Sequence, residues 1–102
     1  MDDFTVKILP LAWQDIDQIS DYYLSKAGAH YAKRITDRLL DTISSLSVFP
    51  FAGARLPDPE LARQGYRKIL CDDYICIYKI IEKAVYVYRV VNGRRDYPKL
   101  LR

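Results

Sequence analysis

The pattern of apolar and polar residues first predicts a short strand and then a helix. Phe4, Val6 and Ile8 alternate with polar neighbours, which is the period of a half-buried strand, and Pro10 ends that run. From Leu11 onward the apolar spacing becomes that of an amphipathic helix. The residues on its apolar face are Ala12, Ile16, Ile19 and Tyr23. Trp13 and Tyr22 lie beside this stripe, and we expect them to pack in the core.

A second helix is predicted from about His30. Its apolar stripe consists of Ala32, Ile35, Leu39, Ile43 and Leu46. Gly28 stands where a glycine commonly ends a helix, and the short link Lys26-Ala27-Gly28 predicts an antiparallel helical hairpin. Phe49-Pro50 ends the second helix, and the proline-rich segment 51–65 is predicted to be a loop with a helical turn near 60–63.

Three strands are predicted in the second half of the chain. They span Tyr66–Cys71, Tyr74–Ile81 and Ala84–Val91, joined at Asp72-Asp73 and Glu82-Lys83. Such short links impose antiparallel pairing. The order β-α-α-β-β-β predicts a single α+β domain over residues 1–102, with an antiparallel sheet and a helical hairpin packed on one of its faces.

This arrangement leaves the other face of the sheet without a helical cover. We expect an open binding surface there, drawn from the tyrosines and cations of the last three strands, because tyrosine suits half-exposed surfaces. A register shift of one residue would exchange the two faces. The candidates are Tyr66, Tyr74, Tyr78, Tyr86 and Tyr88, with Arg67, Lys68, Lys79 and Arg89.

Composition narrows the class of protein. Half of the residues are hydrophobic, enough for a core, yet no apolar run approaches the roughly 20 residues of a membrane span. The acidic opening Met1-Asp2-Asp3 is unlike a secretory signal, so a cytoplasmic location is expected. Cys71 and Cys76 have the wrong spacing for a CxxC redox pair or a zinc knuckle, which predicts buried reduced thiols. No metal or cofactor is implied.

The charge is distributed unevenly along the chain. Residues 1–47 hold five Lys/Arg against seven Asp, a net of −2, whereas residues 48–102 hold eleven Lys/Arg against six acids, a net of +5. Five cations and one carboxylate share the last fourteen residues. Because guanidinium groups grip phosphates and carboxylates, an anionic partner is expected, either nucleic acid or an acidic protein segment. The binding candidates are Arg67, Lys68, Arg89, Arg94, Arg95 and Lys99.

Two alternatives remain open for these cations. Arg89 lies inside a strand, where it could equally form a purely structural ion pair. The group formed by Arg94, Arg95 and Lys99 follows Gly93, and it is either a functional cluster or a solvated tail that keeps the protein soluble.

Several segments resemble the RelE/ParE superfamily of bacterial type II toxins, and together they span almost the whole chain. The resemblance implies a small growth-inhibiting toxin that a co-expressed antitoxin holds inactive, with a toxin–antitoxin hetero-oligomer as a possible assembly and no membrane partner. The segments that carry it are Asp15–Ile19, Phe49-Pro50 with Gly53, Gly65–Arg67, Tyr74–Tyr78 and Arg89–Tyr97.

Two mechanisms occur on this fold, and fold alone does not choose between them. ParE-like members poison DNA gyrase without being enzymes, and the long hairpin with the Phe-Pro…Gly…Gly-Tyr-Arg connection is closer to that group. RelE-like members cut messenger RNA on the ribosome without a metal. If this chain were such a nuclease, the resemblance would assign catalysis to Arg67, Arg95 and Tyr97.

The sequence departs from the nuclease pattern at three positions. Ile75 and Ile69 stand where RelE-like enzymes carry cations, and Asn92 stands where a histidine often precedes Gly-Arg-Arg. Each lost donor can remove about 3 kcal/mol of transition-state stabilisation. The leading interpretation is therefore a ParE-like gyrase inhibitor, with a ribosome-dependent endonuclease as the alternative. The third interpretation is a binding module that derives from a toxin and has lost its activity.

Overall fold

The computed structural model describes residues 3–101 and contains one five-stranded sheet with the strand order β1-β5-β4-β3-β2. Within these residues no helix is long and apolar enough to cross a membrane. The elements are β1 (Thr5–Ile8), α1 (Pro10–Ala27), α2 (Ala29–Ser45), β2 (Ala54–Arg55), α3 (Pro59–Arg63), β3 (Arg67–Cys71), β4 (Tyr74–Ile81), β5 (Ala84–Asn92) and α4 (Pro98–Leu101).

The predicted helical hairpin is confirmed. Pro10 begins α1, where its missing N–H costs nothing, and Gly28 separates the helices with a φ of 93°, a conformation that L side chains rarely adopt. Both predicted stripes pack against the sheet, where Tyr23 is half-buried and the other members are buried. The expectation for Trp13 and Tyr22 is wrong: these side chains are 45% and 56% exposed, because they lie beside the stripe and outside the arc that meets the sheet.

The predicted antiparallel pairing of the last three strands is confirmed, with tight turns at Asp72-Asp73 and Glu82-Lys83. Pairing of β1 with β5 is parallel, so the sheet is mostly antiparallel and not entirely so. The connection from β1 to β5 runs through the helical hairpin and then through β2, α3, β3 and β4, so it is far longer than the dozen or so residues that parallel neighbours require. The two-residue strand β2, inside the predicted loop, forms the far edge of the sheet.

Each face of the sheet has its own apolar cluster. On the inner face, which we define as the face under α1 and α2, Val85, Val87 and Tyr78 meet the helical stripes. The expectation that the opposite, outer face lacks a helical cover is wrong. The chain covers part of it with α3 and the C-terminal segment 93–101, because Leu61, Leu100 and Leu101 have apolar surface that packs there against Ile75, Ile77 and Val91.

The tyrosines expected on the open surface divide between the two faces. Tyr74 and Tyr78 belong to the inner cluster, while Tyr66 and Tyr88 pack with the outer one. Alternation along the strands causes this division, since Tyr78 pairs with Val87 and both are fully buried on the inner face. The sequence alone could not assign each tyrosine to a face, because that assignment depends on the register in which the strands pair.

The two cysteines are unpaired and buried on the inner face, as predicted. Burial, with a smaller contribution from the nearby Cys71, raises the pKa of Cys76 to about 12, so its reactive thiolate is scarce at neutral pH. We expect a thiol-reactive dye to label the native protein slowly and the denatured protein at once. A Ser44→Cys variant, with its thiol on the exposed surface of α2, provides the fast-labelling control. Rapid labelling of the native wild type would contradict this burial.

Candidate functional site: cations around the sheet

The predicted cations lie in four separate places. Arg89 is paired with Asp15 of α1, Lys68 lies on the outer face, Arg67 lies at the β2 edge, and the C-terminal cations lie in the segment 93–101. Geometry therefore places the predicted binding residues at several parts of the sheet and in the C-terminal segment.

Arg89 forms a structural ion pair. Its Nε and Nη2 donate to the two carboxylate oxygens of Asp15 at 2.8 and 2.9 Å, and Asp15 also accepts the backbone N–H of Val90 at 2.8 Å. The side chains are only 16% and 9% exposed, so the pair fixes α1 onto β5. Hydrogen bonding to Asp15 raises the pKa of Arg89 against the opposing effect of burial. A direct part for Arg89 in binding stays a prediction.

Lys68 and Tyr97 meet on the outer face. The Lys68 Nζ lies 3.5 Å from the Tyr97 hydroxyl and 5.8 Å from its ring centroid. A second cation–aromatic group lies on the same face, where the Lys79 Nζ is 4.2 Å from the Tyr66 ring centroid and 5.4 Å from that of Tyr88. Burial raises the pKa of Tyr66. Some of the tyrosines and cations expected on this face are therefore present there, whereas Arg67 and Arg89 make their contacts elsewhere.

Arg67 points to the other side of the sheet from Lys68, because successive side chains of a strand face opposite sides. Its Nη1 donates to the Gly53 carbonyl oxygen at 2.7 Å, and its guanidinium carbon lies 5.1 Å from the Phe51 ring centroid. It lines a recess of about 470 Å³ together with Arg55 and Arg63. We call this the arginine recess.

The C-terminal cations lie in a segment that begins with a turn. The backbone N–H of Arg94 donates to the Asn92 side-chain oxygen at 2.9 Å, which supports the predicted turn at Asn92-Gly93. Arg95 is exposed and lines a second recess, of about 200 Å³, against Gln18 and Tyr22 of α1. Lys99 is exposed and pairs with Asp96 at 3.5 Å.

The three residues assigned to a nuclease mechanism do not come together. Arg67 contacts Gly53 and Phe51, Arg95 lies beside α1, and Tyr97 contacts Lys68 on the outer face. Ile75, at a position where the resemblance places a nuclease cation, is only 3% exposed within the outer cluster. Among residues 3–101 there is no group of three His, Cys, Asp or Glu side chains suited to a metal ion.

Two cations of the arginine recess were absent from the sequence-based candidates. Arg55 and Arg63 are both in the segment interpreted as a connecting loop, where isolated arginines carry no positional signal. The short strand β2 and helix α3 bring them to Arg67. The one sequence feature that could have pointed to this recess is the spacing of its three arginines, which lie within thirteen residues of the chain.

Comparison with known proteins identifies the class. The family described as the ParE toxin of the type II toxin–antitoxin system parDE matches residues 6–97, and the chain belongs to this family. It is thus a toxin of the ParE/RelE group of type II toxin–antitoxin systems. A search of curated protein sequences found no significant match.

Solved structures share the fold. A chain of the chromosomal ParDE toxin–antitoxin system from P. aeruginosa superposes with a TM-score of 0.75 at 18% identity, covering 87% of this chain and 95% of that one. A chain of the RelBE2 toxin–antitoxin complex from Mycobacterium tuberculosis gives a TM-score of 0.67 at 20% identity, with coverage of 88% and 98%. At these identities the likeness concerns the fold alone.

Proposed function

We propose that this toxin is a ParE-like, non-enzymatic inhibitor of DNA gyrase and that a cognate antitoxin neutralises it. The observation that carries the proposal is the burial of Ile75 under the C-terminal segment, where a nuclease would need an exposed cation. Cleavage of RNA requires cations and a proton acceptor around one phosphate. Here Arg67, Arg95 and Tyr97 make their contacts in three different places.

The antitoxin part of the proposal has two supports. Both structural relatives come from toxin–antitoxin systems. In addition, α1 exposes four large apolar side chains that a protein partner could contact: Leu11, Trp13, Tyr22 and Leu24, which are 45–56% accessible. An acidic partner would also associate rapidly with the basic half of the chain, and its rate would fall with salt.

One observation favours the endonuclease alternative. The Lys68 ammonium beside the Tyr97 hydroxyl places a cation next to a group that could relay a proton or stack on a base. Replacing Tyr97 by Phe separates the two mechanisms, because it keeps the ring and removes the hydroxyl. Gyrase inhibition should survive this change, whereas mRNA cleavage would lose its proton relay.

The test is to assay purified toxin for inhibition of gyrase supercoiling and, in parallel, for mRNA cleavage by ribosomal toe-printing. We expect inhibition of gyrase, intact mRNA, and DNA damage with filamentation when the toxin is induced in cells. Arg95→Ala should weaken inhibition by about tenfold if the exposed guanidinium contacts the target. Arg38→Ala is the matched control, since Arg38 is also exposed and pairs with Asp72.

Cut transcripts at the ribosomal A site together with unaffected supercoiling would replace the proposal by the endonuclease alternative. If neither activity appears and induced cells grow normally, the third interpretation, an inactive binding module, is correct. Should Arg95→Ala leave both toxicity and antitoxin binding intact, the C-terminal cations would have no part in either.

A further inference from the structure

A further recess lies between the helical hairpin and the turn that joins β3 to β4. It has a volume of about 420 Å³, and residues of α1, α2 and the segment 72–74 form its walls. We call it the tyrosine recess. None of the cations considered above as binding candidates lines it. Its volume falls within the range of small-molecule pockets, roughly 300–1,000 Å³.

Three tyrosine side chains line this recess. Tyr23 of α1 and Tyr31 of α2 have ring centroids 5.4 Å apart and ring planes inclined at 48°. Tyr74, at the start of β4, donates its hydroxyl to the Tyr23 hydroxyl oxygen at 3.3 Å and so joins the hairpin to the sheet. The faces of aromatic rings carry partial negative charge and attract ammonium and guanidinium groups.

The chain places none of its own cations over these rings. Among residues 3–101, every lysine or arginine that lies over an aromatic ring contacts a ring outside the recess. Arg38 lines the recess, but its Nη2 donates to the Asp72 carboxylate at 2.7 Å, which compensates its charge. Tyr31 is 41% exposed. Ring surface in the recess is therefore open to an external cation.

Asp73 gives the recess a negative charge. It is exposed and forms no ion pair within residues 3–101, whereas Asp72 is paired with Arg38. Two acids against one arginine leave a net of −1 here, on a chain whose formal charge is +3. Burial and the hydrogen bond to Tyr23 raise the pKa of Tyr74, and the charge of Asp73 adds to this effect. Tyr74 therefore stays neutral at physiological pH and keeps its hydroxyl.

Rings and a carboxylate together select an organic cation over other ligands. A hard metal ion takes six or more oxygen ligands, and within residues 3–101 no three His, Cys, Asp or Glu side chains are grouped to hold one. An anion would be repelled by Asp73 and by the ring faces. An alkylammonium or alkylguanidinium compound instead places its charge beside Asp73 and its carbon chain against the rings and Ile35.

We propose that the tyrosine recess binds a small, free organic cation of the alkylammonium or alkylguanidinium class, with its charge beside Asp73 and against the rings of Tyr31 and Tyr74. A recess of this size holds a whole small molecule, not only the end of one side chain. This inference goes beyond the proposed function, because it concerns a different surface and holds whether or not gyrase is the target.

The proposal is tested by NMR titration of the protein, labelled with ¹³C at its tyrosine rings, with hexylammonium and with 1-hexanol, a neutral probe of the same length. Hexylammonium should shift the Tyr31 and Tyr74 signals saturably and bind about tenfold more tightly than hexanol. Added salt should weaken its binding. Equal affinity for the two probes, no saturable shift, or shifts confined to tyrosines outside the recess would overturn the proposal.

Variants separate the contributions of the carboxylate and the rings. Asp73→Asn keeps the size and turn preference of the residue and should weaken hexylammonium binding about fivefold. Tyr31→Leu should weaken it by a similar factor, whereas Tyr31→Phe keeps the ring and should bind like the wild type. Arg38→Gln should strengthen binding, because it removes a cation from the recess and frees the Asp72 carboxylate. A gain of this kind cannot result from a loss of folding.

Asp17→Asn is the matched control, since Asp17 is exposed on α1 outside the recess and its variant should bind like the wild type. Wild-type binding by both Asp73→Asn and Tyr31→Leu, or weaker binding by Arg38→Gln, would overturn the proposal. A lysine-containing hexapeptide that binds about tenfold more tightly than hexylammonium would overturn the assignment to a free ligand and make the recess a contact for a partner's side chain. Gyrase inhibition by Asp73→Asn, measured alongside, tests the proposed function independently.

Discussion

Replacing Asp15 by Ala should lower the free energy of unfolding by about 3–5 kcal/mol, because it leaves a buried guanidinium without its counter-charge. Asp15 accepts three hydrogen bonds, two from Arg89 and one from the backbone of Val90, and it is only 8% exposed. Removing it would also remove the polar contact between α1 and β5, while the apolar contacts of the helix remain. Urea denaturation followed by circular dichroism measures the change.

The control for this substitution is Asp17→Ala. Asp17 lies two residues further along α1 and is exposed, so its loss should change stability by less than about 0.5 kcal/mol. The double variant Asp15→Leu with Arg89→Met should recover part of the loss, since an apolar pair no longer leaves a charge unpaired. If Asp15→Ala were as stable as Asp17→Ala, the ion pair would not fix the helix to the sheet.

The second large effect is expected at Gly53. A Cβ built there would overlap the carbonyl oxygen of Lys68 and lie 2.7 Å from the Tyr78 hydroxyl. The Tyr78 hydroxyl donates to Pro50 O at 2.8 Å and accepts from the Gly53 N–H at 3.0 Å. Gly53→Ala should therefore lower the free energy of unfolding by about 3 kcal/mol or more, through backbone overlap and loss of these buried hydrogen bonds.

Gly93→Ala is the matched control. A Cβ at Gly93 would meet its nearest atoms, Asp73 O and Ile75 Cγ2, at 3.6 and 3.8 Å, which are ordinary contact distances. We expect its melting temperature to stay close to that of the wild type. Because Gly53 also accepts the Arg67 hydrogen bond, Gly53→Ala should disturb the arginine recess as well. If Gly53→Ala were as stable as Gly93→Ala, the 50–53 segment would be able to shift and accommodate the added methyl group without loss of stability.

The fold was largely predictable because its main elements are encoded locally. The 3.6-residue stripes of α1 and α2, Gly28 between them, and the two short turns of the last three strands each follow from neighbouring residues. The parallel position of β1 beside β5 was not predictable in this way. It depends on which strand pairs with β1 after the chain has crossed the sheet, and that pairing joins residues far apart in the sequence.

The candidate site was likewise only partly predictable from the sequence. Sequence pattern identified the cations at Arg67, Lys68, Arg94 and Arg95, but their directions depend on strand register and on the path of the C-terminal segment. Trp13 and Tyr22 were assigned to the core on their apolar character. That character does not show which side of a helix meets the sheet, and both side chains are exposed.

The amino-acid sequence by itself determined the α+β architecture, the helical hairpin and the polarised charge, since periodicity, turn residues and composition are local properties. Only the tertiary structure decided that Arg89 is paired with Asp15, that the C-terminal segment covers Ile75, and that Arg55 stands opposite Arg67. These contacts join residues distant in the chain, and their partners are selected by packing and strand register.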